Sequence, residues 1–398
     1  MNGPRQRLAV PERADADPLD LAHELALDRT GQAVERAREQ TDAAWIDAMV
    51  DVEAALARAE SRAGVIPVAV AEAITAACAE SSFDVPGLTE QGRASGTPAE
   101  PLVRALRARL ADDLAHYVHF GATSQDIVDS AAMLVTRQAL GLIDHDLVAV
   151  ESLCAGLARA HRDTPMAART LLQQAVPTTF GYKAARWLVA VHAARARLVV
   201  LRTALPAQLG GAAGTLAPLG DAALEVHHLF AQELGLAEPA LPWHTDRLVI
   251  TELGAALAAA ASSAAKIGVD VALLAQTEVG EVAEAEPGGS TAMPHKRNPV
   301  GAVLAGACAR RARGYASVLA ESVVGEHERA IGAWHAEWGA LSGALAFTGG
   351  AAAAIRRSLD GLQVDVARMR ANLDLIGGSI VSGAAGVLVD RALEQTGR

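Results

Sequence analysis

Apolar positions along this chain recur every three to four residues over long stretches, the period of amphipathic helices. From Thr41, "TDAAWIDAMVDVEAALARAESRAG" puts Trp45, Met49, Val52, Leu56 and Ala59 on one face and reaches Gly64 as a stop. Ile66-Pro67 opens another helix, "VAVAEAITAACAE". The stretch "PGLTEQGRASGTPAEP" (86–101) is the first cluster of helix breakers and marks a boundary. Beyond it, helical pattern runs over 125–161, 179–205, 220–236, 248–283, 299–323 and 337–360. Several of these outrun the roughly 8–20 residues usual for globular helices. An all-α long-helix bundle is therefore predicted, with an N-terminal helical domain over 1–100, a central bundle over 101–340 and a short helical domain over 341–398. Residues 1–40 are charged and weakly patterned, which predicts a poorly ordered arm and one short helix. Strand pattern is nearly absent; only "RTLLQQAVPTTF" (169–180) is ambiguous.

Composition sharpens this picture. Of the 398 residues 51% are hydrophobic but only 3% aromatic, so the core is Ala, Leu and Val, and the first two are strong helix formers. A net charge of −11 argues against nucleic acid or an anionic membrane as partner, while leaving room for a small anionic substrate in a local cationic pocket. Cys78, Cys154 and Cys308 form no paired motif and sit in apolar helical context, as buried free thiols in a reducing cytoplasm would. The N-terminal "MNGPRQRLAVPERADADPLD" has no apolar signal region. The apolar stretch from Ala255 to Ala275 carries Lys266 and Asp270 and reads as a core helix rather than a membrane span.

Three polar loops interrupt the helices: "HFGATSQD" (119–126), "RTLLQQAVPTT" (169–179) and "GGSTAMPHKRNPV" (288–300). Each touches the end of a long helix, so they converge only where helix ends meet, within the chain or across copies. In the last loop, Gly288 and Gly289 permit a tight mobile turn, and Ser290 and Thr291 supply hydroxyls. Lys296 supplies a charge, and Asn298-Pro299 leads into a new helix start. A lysine beside a helix N-terminus suits a carboxylate, and a serine in that field is a candidate base. The plainer reading is an ordinary inter-helix loop. Thr123 and Ser124 read first as a helix N-cap and second as a hydroxyl pair for a carboxylate. Arg169-Thr170 and Gln173-Gln174 either line a polar pocket or satisfy loop backbone. Histidines are dispersed without metal-ligand spacing, and no Gly-rich nucleotide loop follows a strand, so neither metal nor cofactor is expected.

The stretch "GSTAMPHKRNP" resembles the signature of the fumarase/aspartase superfamily, and "HFGATSQDIVDS" and "RTLLQQAVPTTFGYK" precede it in that superfamily's order. The resemblance covers roughly residues 41–390. It implies a homotetramer built on one large helix bundle, with each active site shared between subunits. It implies Ser290 as catalytic base and Lys296 and Asn298 as holders of substrate carboxylates, assisted by Thr123, Ser124 and Thr170. Thr291 replaces the usual second serine and keeps the hydroxyl.

Reactions of this superfamily are eliminations or additions at a carbon next to a carboxylate, through an aci-carboxylate. Most branches carry a histidine after the threonine of the second motif and a glutamate four residues after the Asn-Pro proline. Here those positions are Leu171 and Val303, so both halves of the His–carboxylate pair are apolar. The pattern is most similar to the lactonising branch that acts on carboxylated muconates, where the departing group, read backwards, is an internal carboxylate that needs little acid assistance. Arg247 in "HTDR" and Arg329 in "HER" are the candidate clamps for a polycarboxylate. Arg329 could equally pair with Glu326 or Glu328, and His244 and His335 read as packed histidines before acids. Gln174 stands where that branch has histidine, which keeps open a fumarate-releasing lyase on another substituted succinate. A non-catalytic helical scaffold is a third reading, opposed by the joint presence of Ser290, Lys296 and Asn298. Relative to that family the C-terminal helical domain reads as shortened by about fifty residues.

Overall fold

The structure is a computed structural model that describes residues 32–79, 83–375 and 383–398, with side chains from residue 42 onward. Of the stretch 1–40, expected to hold an arm and a first short helix, residues 1–31 lie outside the described residues and 32–40 are part of α1. In chain order the helices are α1 (Gln32–Arg62), α2 (Val68–Ala79), α3 (Val85–Ser95), α4 (Ala99–Arg107), α5 (Asp112–Ala115), α6 (Ser124–Ala160) and α7 (Phe180–Thr203). There follow α8 (Ala223–Leu234), α9 (Leu248–Leu274), α10 (Val300–Glu321), α11 (Ala333–Leu359), α12 (Val366–Asp374) and α13 (Ala385–Gln395). The breaker cluster at 86–101 holds α3 and the start of α4, because Asp84 accepts from Gly87 N at 3.1 Å and Gly96 closes α3 in the left-handed region.

The core is the mutual packing of α6, α7, α9, α10 and α11, with α1 laid against α6 and α8. Met49, Val52, Leu56 and Ala59, the predicted face of α1, are all buried. Small residues let the long helices approach closely: a Cβ at Gly268 on α9 would stand 2.7 Å from the carbonyl oxygen of Ala302 on α10. Among the described residues two helices, α9 and α11, are long and apolar enough to cross a membrane by composition, and in the fold they are bundle core, with Leu253, Leu257, Ala344 and Ile355 buried. Position 340, where the sequence places a domain boundary, lies inside α11, a single helix of 27 residues. Cys78, Cys154 and Cys308 are buried free thiols, pushed up by burial to about 12, 12 and 11.

The ambiguous stretch at 169–180 forms neither helix nor loop. It is an antiparallel hairpin, β1 (Pro165–Thr170) with β2 (Gln173–Thr179), pairing Arg169 with Gln174 and Thr170 with Gln173. A second pair, β3 (Val282–Ala283) with β4 (Gln363–Val364), ties the segment after α9 to the segment after α11. That pair explains why α9 ends at Leu274 and not at the expected 283: beyond it Glu281 N–H donates back to Leu274 O at 2.9 Å and the chain leaves as strand.

The long helices sort their connections to two ends. The 119–124, 208–212, 243–247 and 324–332 segments gather at the N-terminal end of α6, and the hairpin, the 279–299 segment and 360–372 gather at its C-terminal end. These are called below the Asp126 end and the Ser290 end.

Candidate active site

At the Asp126 end a buried polar network fixes the backbone. Asp126 is fully buried and accepts from Thr123 N (2.9 Å), Gly210 N (3.0 Å) and Gly211 N (2.8 Å), with His244 Nε2 at 2.6 Å. Thr123 is thus the N-cap residue of α6, and the acid three residues on returns to its N–H, as in a capping box. Only glycine fits at 211: its φ is +69°, and a Cβ would stand 2.7 Å from Gly121 O. One turn further, Arg247 lies 4% exposed between two carboxylates. Its Nη1 donates to Asp129 Oδ2 at 2.7 Å, its Nη2 to Glu337 Oε2 at 2.5 Å, and its guanidinium sits 4.6 Å from the Trp243 ring centre. Trp334 Nε1 donates to the other Asp129 oxygen at 2.9 Å. Burial pulls the Arg247 guanidinium down, but Asp129 and Glu337 outweigh it and hold it above its ordinary value. Burial raises the Glu337 carboxyl despite Arg247.

Both arginines expected as clamps have partners within the chain. Arg247 is an interior ion-pair centre whose three nitrogens all donate to carboxylates. Arg329 donates to Gln125 Oε1 (2.7 Å) and Ala212 O (2.8 Å) and ties the start of α6 to the 208–212 segment; Glu326 instead accepts from Ile331 N at 3.0 Å. His244 is a packed, hydrogen-bonded histidine, and the exposed His335 lies 3.0 Å from Gly96 O through Nε2.

The Ser290 end is open by contrast. The loop closes at its neck, where Gly288 and Asn298 exchange two backbone hydrogen bonds of 2.9 Å and Asn298 Nδ2 donates to Gly289 O at 3.1 Å. Inside this neck, Ser290 Oγ accepts from Met293 N at 3.2 Å and Ala292 N at 3.4 Å. Two N–H groups aimed at one hydroxyl oxygen favour its anionic form. Thr291 and Lys296 are exposed. The helix start expected to hold substrate charge is already occupied: Glu284, buried, accepts from Gly301 N (3.1 Å) and Ala302 N (2.8 Å), and from Ser358 Oγ at 2.6 Å. What remains for a substrate here is the loop itself.

The hairpin is bolted to this end through Arg169, which makes a two-pronged contact with buried Glu281 (2.9 and 2.7 Å), itself also bonded by Asn372 Nδ2 at 2.8 Å. Thr170 and Gln173 are exposed at its tip. Leu171 and Leu172 form the turn at φ +50° and +64°, and Leu171 is 97% exposed. Val303 is also exposed on the α10 surface, so within one chain the two apolar replacements are not a buried pair. Gln174 is half-buried, with its Oε1 buried and without a hydrogen-bond partner among the described residues.

Thr123 and Ser124 therefore do not meet Ser290, Lys296, Asn298, Thr170 and Gln173 in one chain. The 27 residues of α9 carry the chain from one end to the other, about 40 Å at 1.5 Å per residue. A polar pair that the sequence reading passed over lies at the Asp126 end: His119 Nδ1 is 2.7 Å from Oε1 of buried Glu53. Its signal was available, since Glu53 shares the face of Met49, Leu56 and Glu60 at helical spacing, and a carboxylate on a core face requires a partner. Among the described residues no group of three or more His, Cys, Asp or Glu side chains is arranged to hold a metal ion.

A family model described as Lyase matches residues 28–314, more than half of the chain, and the protein belongs to that family, the fumarase/aspartase lyases. It is an enzyme of that superfamily. Among its relatives is a nitrosuccinate lyase of Streptomyces davaonensis, 49% identical over 89% of this chain and 77% of the relative. A 3-carboxy-cis,cis-muconate cycloisomerase of Bradyrhizobium diazoefficiens is 48% identical over 86% of this chain and 78% of its own length. The crystal structure of the 3-carboxy-cis,cis-muconate lactonizing enzyme from Pseudomonas putida superposes with a TM-score of 0.79 at 42% identity, covering 88% of this chain and 81% of that one.

Proposed function

We propose that this chain is a cytoplasmic, cofactor-free cycloisomerase that lactonises 3-carboxy-cis,cis-muconate, working as a homotetramer whose active sites combine both ends of the bundle. In the forward direction a substrate carboxylate adds to the conjugated double bond. The resulting carbanion is stabilised as the aci form of its neighbouring carboxylate, and Ser290 delivers the proton to carbon. Lys296 and Asn298 hold carboxylate oxygens from the signature loop, Thr291 adds a hydroxyl, and Thr170 and Gln173 reach in from a hairpin tip. Thr123 and Ser124 meet them from the Asp126 end of another copy. The observation that carries this reading is the Ser290 hydroxyl facing two backbone N–H groups in a loop closed at its neck, because they stabilise the alkoxide that a proton carrier must become.

The departing group, read in reverse, must be a weakly basic anion, because Leu171 and Val303 supply no acid. An internal carboxylate meets that condition, and so does nitrite. Gln174 in the place of a histidine favours the second reading, β-elimination from nitrosuccinate to fumarate and nitrite, the substrate class named for the Streptomyces relative. Purified protein is mixed with 3-carboxy-cis,cis-muconate and with nitrosuccinate, following loss of diene absorbance and release of nitrite. Diene loss supports the cycloisomerase; nitrite release alone replaces it with the lyase. Turnover of neither leaves the lyase scaffold without either activity and removes both readings.

A further inference from the structure

Only three of the 35 lysine and arginine residues in this chain are lysines: Lys183, Lys266 and Lys296. Arginine is the ordinary cation here, and what lysine has and arginine lacks is an amine that can shed its proton. Lys296 is exposed in the signature loop, and Lys266 on α9 pairs with Asp270 one turn along. Lys183, the fourth residue of α7, is half-buried and has neither an ion pair nor a hydrogen bond among the described residues. Its neighbourhood holds more cations than anions. Arg169 on β1, Arg186 on α7 and Lys266 on α9 all act on its charge, with Asp270 as the opposing acid. Asp270 is already engaged, since its Oδ2 accepts from Lys266 Nζ and from Trp187 Nε1, the latter at 2.8 Å. Arg169 is engaged by Glu281. Arg186 is exposed and without a partner among the described residues. Lys183 and Arg186 are therefore surplus cations at i and i+3 of one helix, near the end of α7 where the dipole disfavours positive charge. Burial lowers the Lys183 pKa, Asp270 raises it, and Lys266, Arg186 and Arg169 lower it again, leaving it below the ordinary value.

We propose that Lys183 is a carbamylation site, whose Nζ takes up carbon dioxide to form a carbamate that pairs with the surplus Arg186. The lone pair of the neutral amine adds to the carbon of carbon dioxide, one C–O π bond opens onto its oxygen, and one N–H proton passes to solvent. Nothing is oxidised or reduced. The step exchanges a surplus cation for an anion, so each of Arg169, Lys266 and Arg186 then faces one negative group: Glu281, Asp270 and the carbamate. The new charge also stands at the end of α7 that favours it. Carbon dioxide suits the site because it is small and uncharged, and so reaches a half-buried amine among cations without displacing packed side chains. The other lysines lack this combination, Lys266 being paired with an acid and Lys296 being exposed. The site is independent of the proposed reaction: α7 leaves from the base of the hairpin, whereas Thr170 and Gln173 stand at its tip.

The test is carbon-13 NMR of the whole protein in labelled bicarbonate, at constant dissolved carbon dioxide and rising pH. An oxonium alkylating reagent then traps the carbamates, and peptide mass spectrometry places them. Wild type shows a carbamate resonance that grows with pH, as the neutral amine does, and the trapped label lies on the Lys183 peptide. Lys183→Arg keeps the positive charge and loses that resonance, leaving only the carbamate of the α-amino group, which is also neutral in part near pH 8. Asp270→Asn removes the acid that favours the ammonium and keeps an oxygen for Trp187, so occupancy at Lys183 rises at a given pH. No label at Lys183 in wild type, label spread equally over the three lysines, or a wild-type resonance in Lys183→Arg overturns the site. An Asp270→Asn protein with lower occupancy overturns it as well. If Lys183→Arg does not fold, the peptide map of wild type decides alone.

Discussion

The two ends of the bundle treat polar groups in opposite ways. At the Asp126 end, carboxylates, an arginine and a histidine are buried and bonded to one another, so their charge is used up in fixing backbone. At the Ser290 end the buried carboxylates, Glu281 and Glu284, serve the same purpose, but the signature loop they support leaves Thr291 and Lys296 exposed. The contrast teaches that a polar motif's density does not distinguish scaffold from chemistry. What distinguishes them is whether the groups are already satisfied by the chain. Arg247 and Ser290 both sit in polar clusters of the sequence; Arg247 is spent on the carboxylates of its own chain, whereas Ser290 Oγ meets only two N–H groups of its own loop.

The largest effect expected from this difference is on stability. Arg247→Leu leaves Asp129 and Glu337 buried without their cation, which costs about 3–5 kcal/mol. Lys296→Ala, at an exposed position of the other end, changes stability by less than about 0.5 kcal/mol. Urea unfolding of the two variants beside wild type checks both, and equal costs would abolish the distinction between the ends. The second effect runs the other way. Ser290→Ala lowers turnover by about 10²–10⁴-fold, the range for removing a positioned proton carrier, and leaves the unfolding midpoint where it was. A variant that loses stability in proportion to activity would make Ser290 a structural residue.

A third prediction concerns an exception within α1. Glu60 is buried, neither of its oxygens has a hydrogen-bond partner among the described residues, and burial, with Glu53 nearby, pushes its carboxyl up to about 9. The folded state therefore keeps a proton that the unfolded state loses above the ordinary carboxyl value of 4.5. Stability tied to this group is present below that value and is lost as pH rises through the interval to about 9, by at most about 1.4 kcal/mol per pH unit. Glu60→Gln removes this slope, so the variant gains on wild type as pH goes from 5 to 8.5 in chemical denaturation. A constant difference between them over that range would mean Glu60 is ionised in the fold.

Helix periodicity made most of the fold legible, because a buried stripe must recur at 3.6 residues whatever its partners: α6, α7 and α10 begin within a residue of their expected starts. The hairpin was not legible. Its turn places two leucines at positive φ, where sequence rules look for Gly or Asn, so no turn signal stands at 171–172. Of the candidate site, the Ser290 loop stands out in sequence through small and charged residues at close spacing. Arg247 reads as a clamp because in sequence an arginine looks the same whether its carboxylates come from substrate or from Asp129 and Glu337, which are 118 and 90 positions away. His119 was missed for the same reason, its partner Glu53 being 66 positions upstream.

The smallest expected effect tests what the hairpin tip is for. Leu171 combines a strained backbone with a side chain that is almost fully exposed, two costs that folding alone gives no reason to keep. Leu171→Gly relieves the positive φ, while glycine's extra freedom in the unfolded chain offsets part of the gain, so the net change in stability is below about 1 kcal/mol. Activity responds differently if the tip completes a site in another copy. Turnover then falls while unfolding is nearly unchanged, and the loss appears in kcat/KM measured at protein concentrations where the oligomer is intact, as checked by sedimentation. A Leu171→Gly protein with wild-type kcat/KM would show that the tip does not enter the reaction. The two ends would then have to be joined in the active site by contacts other than this hairpin.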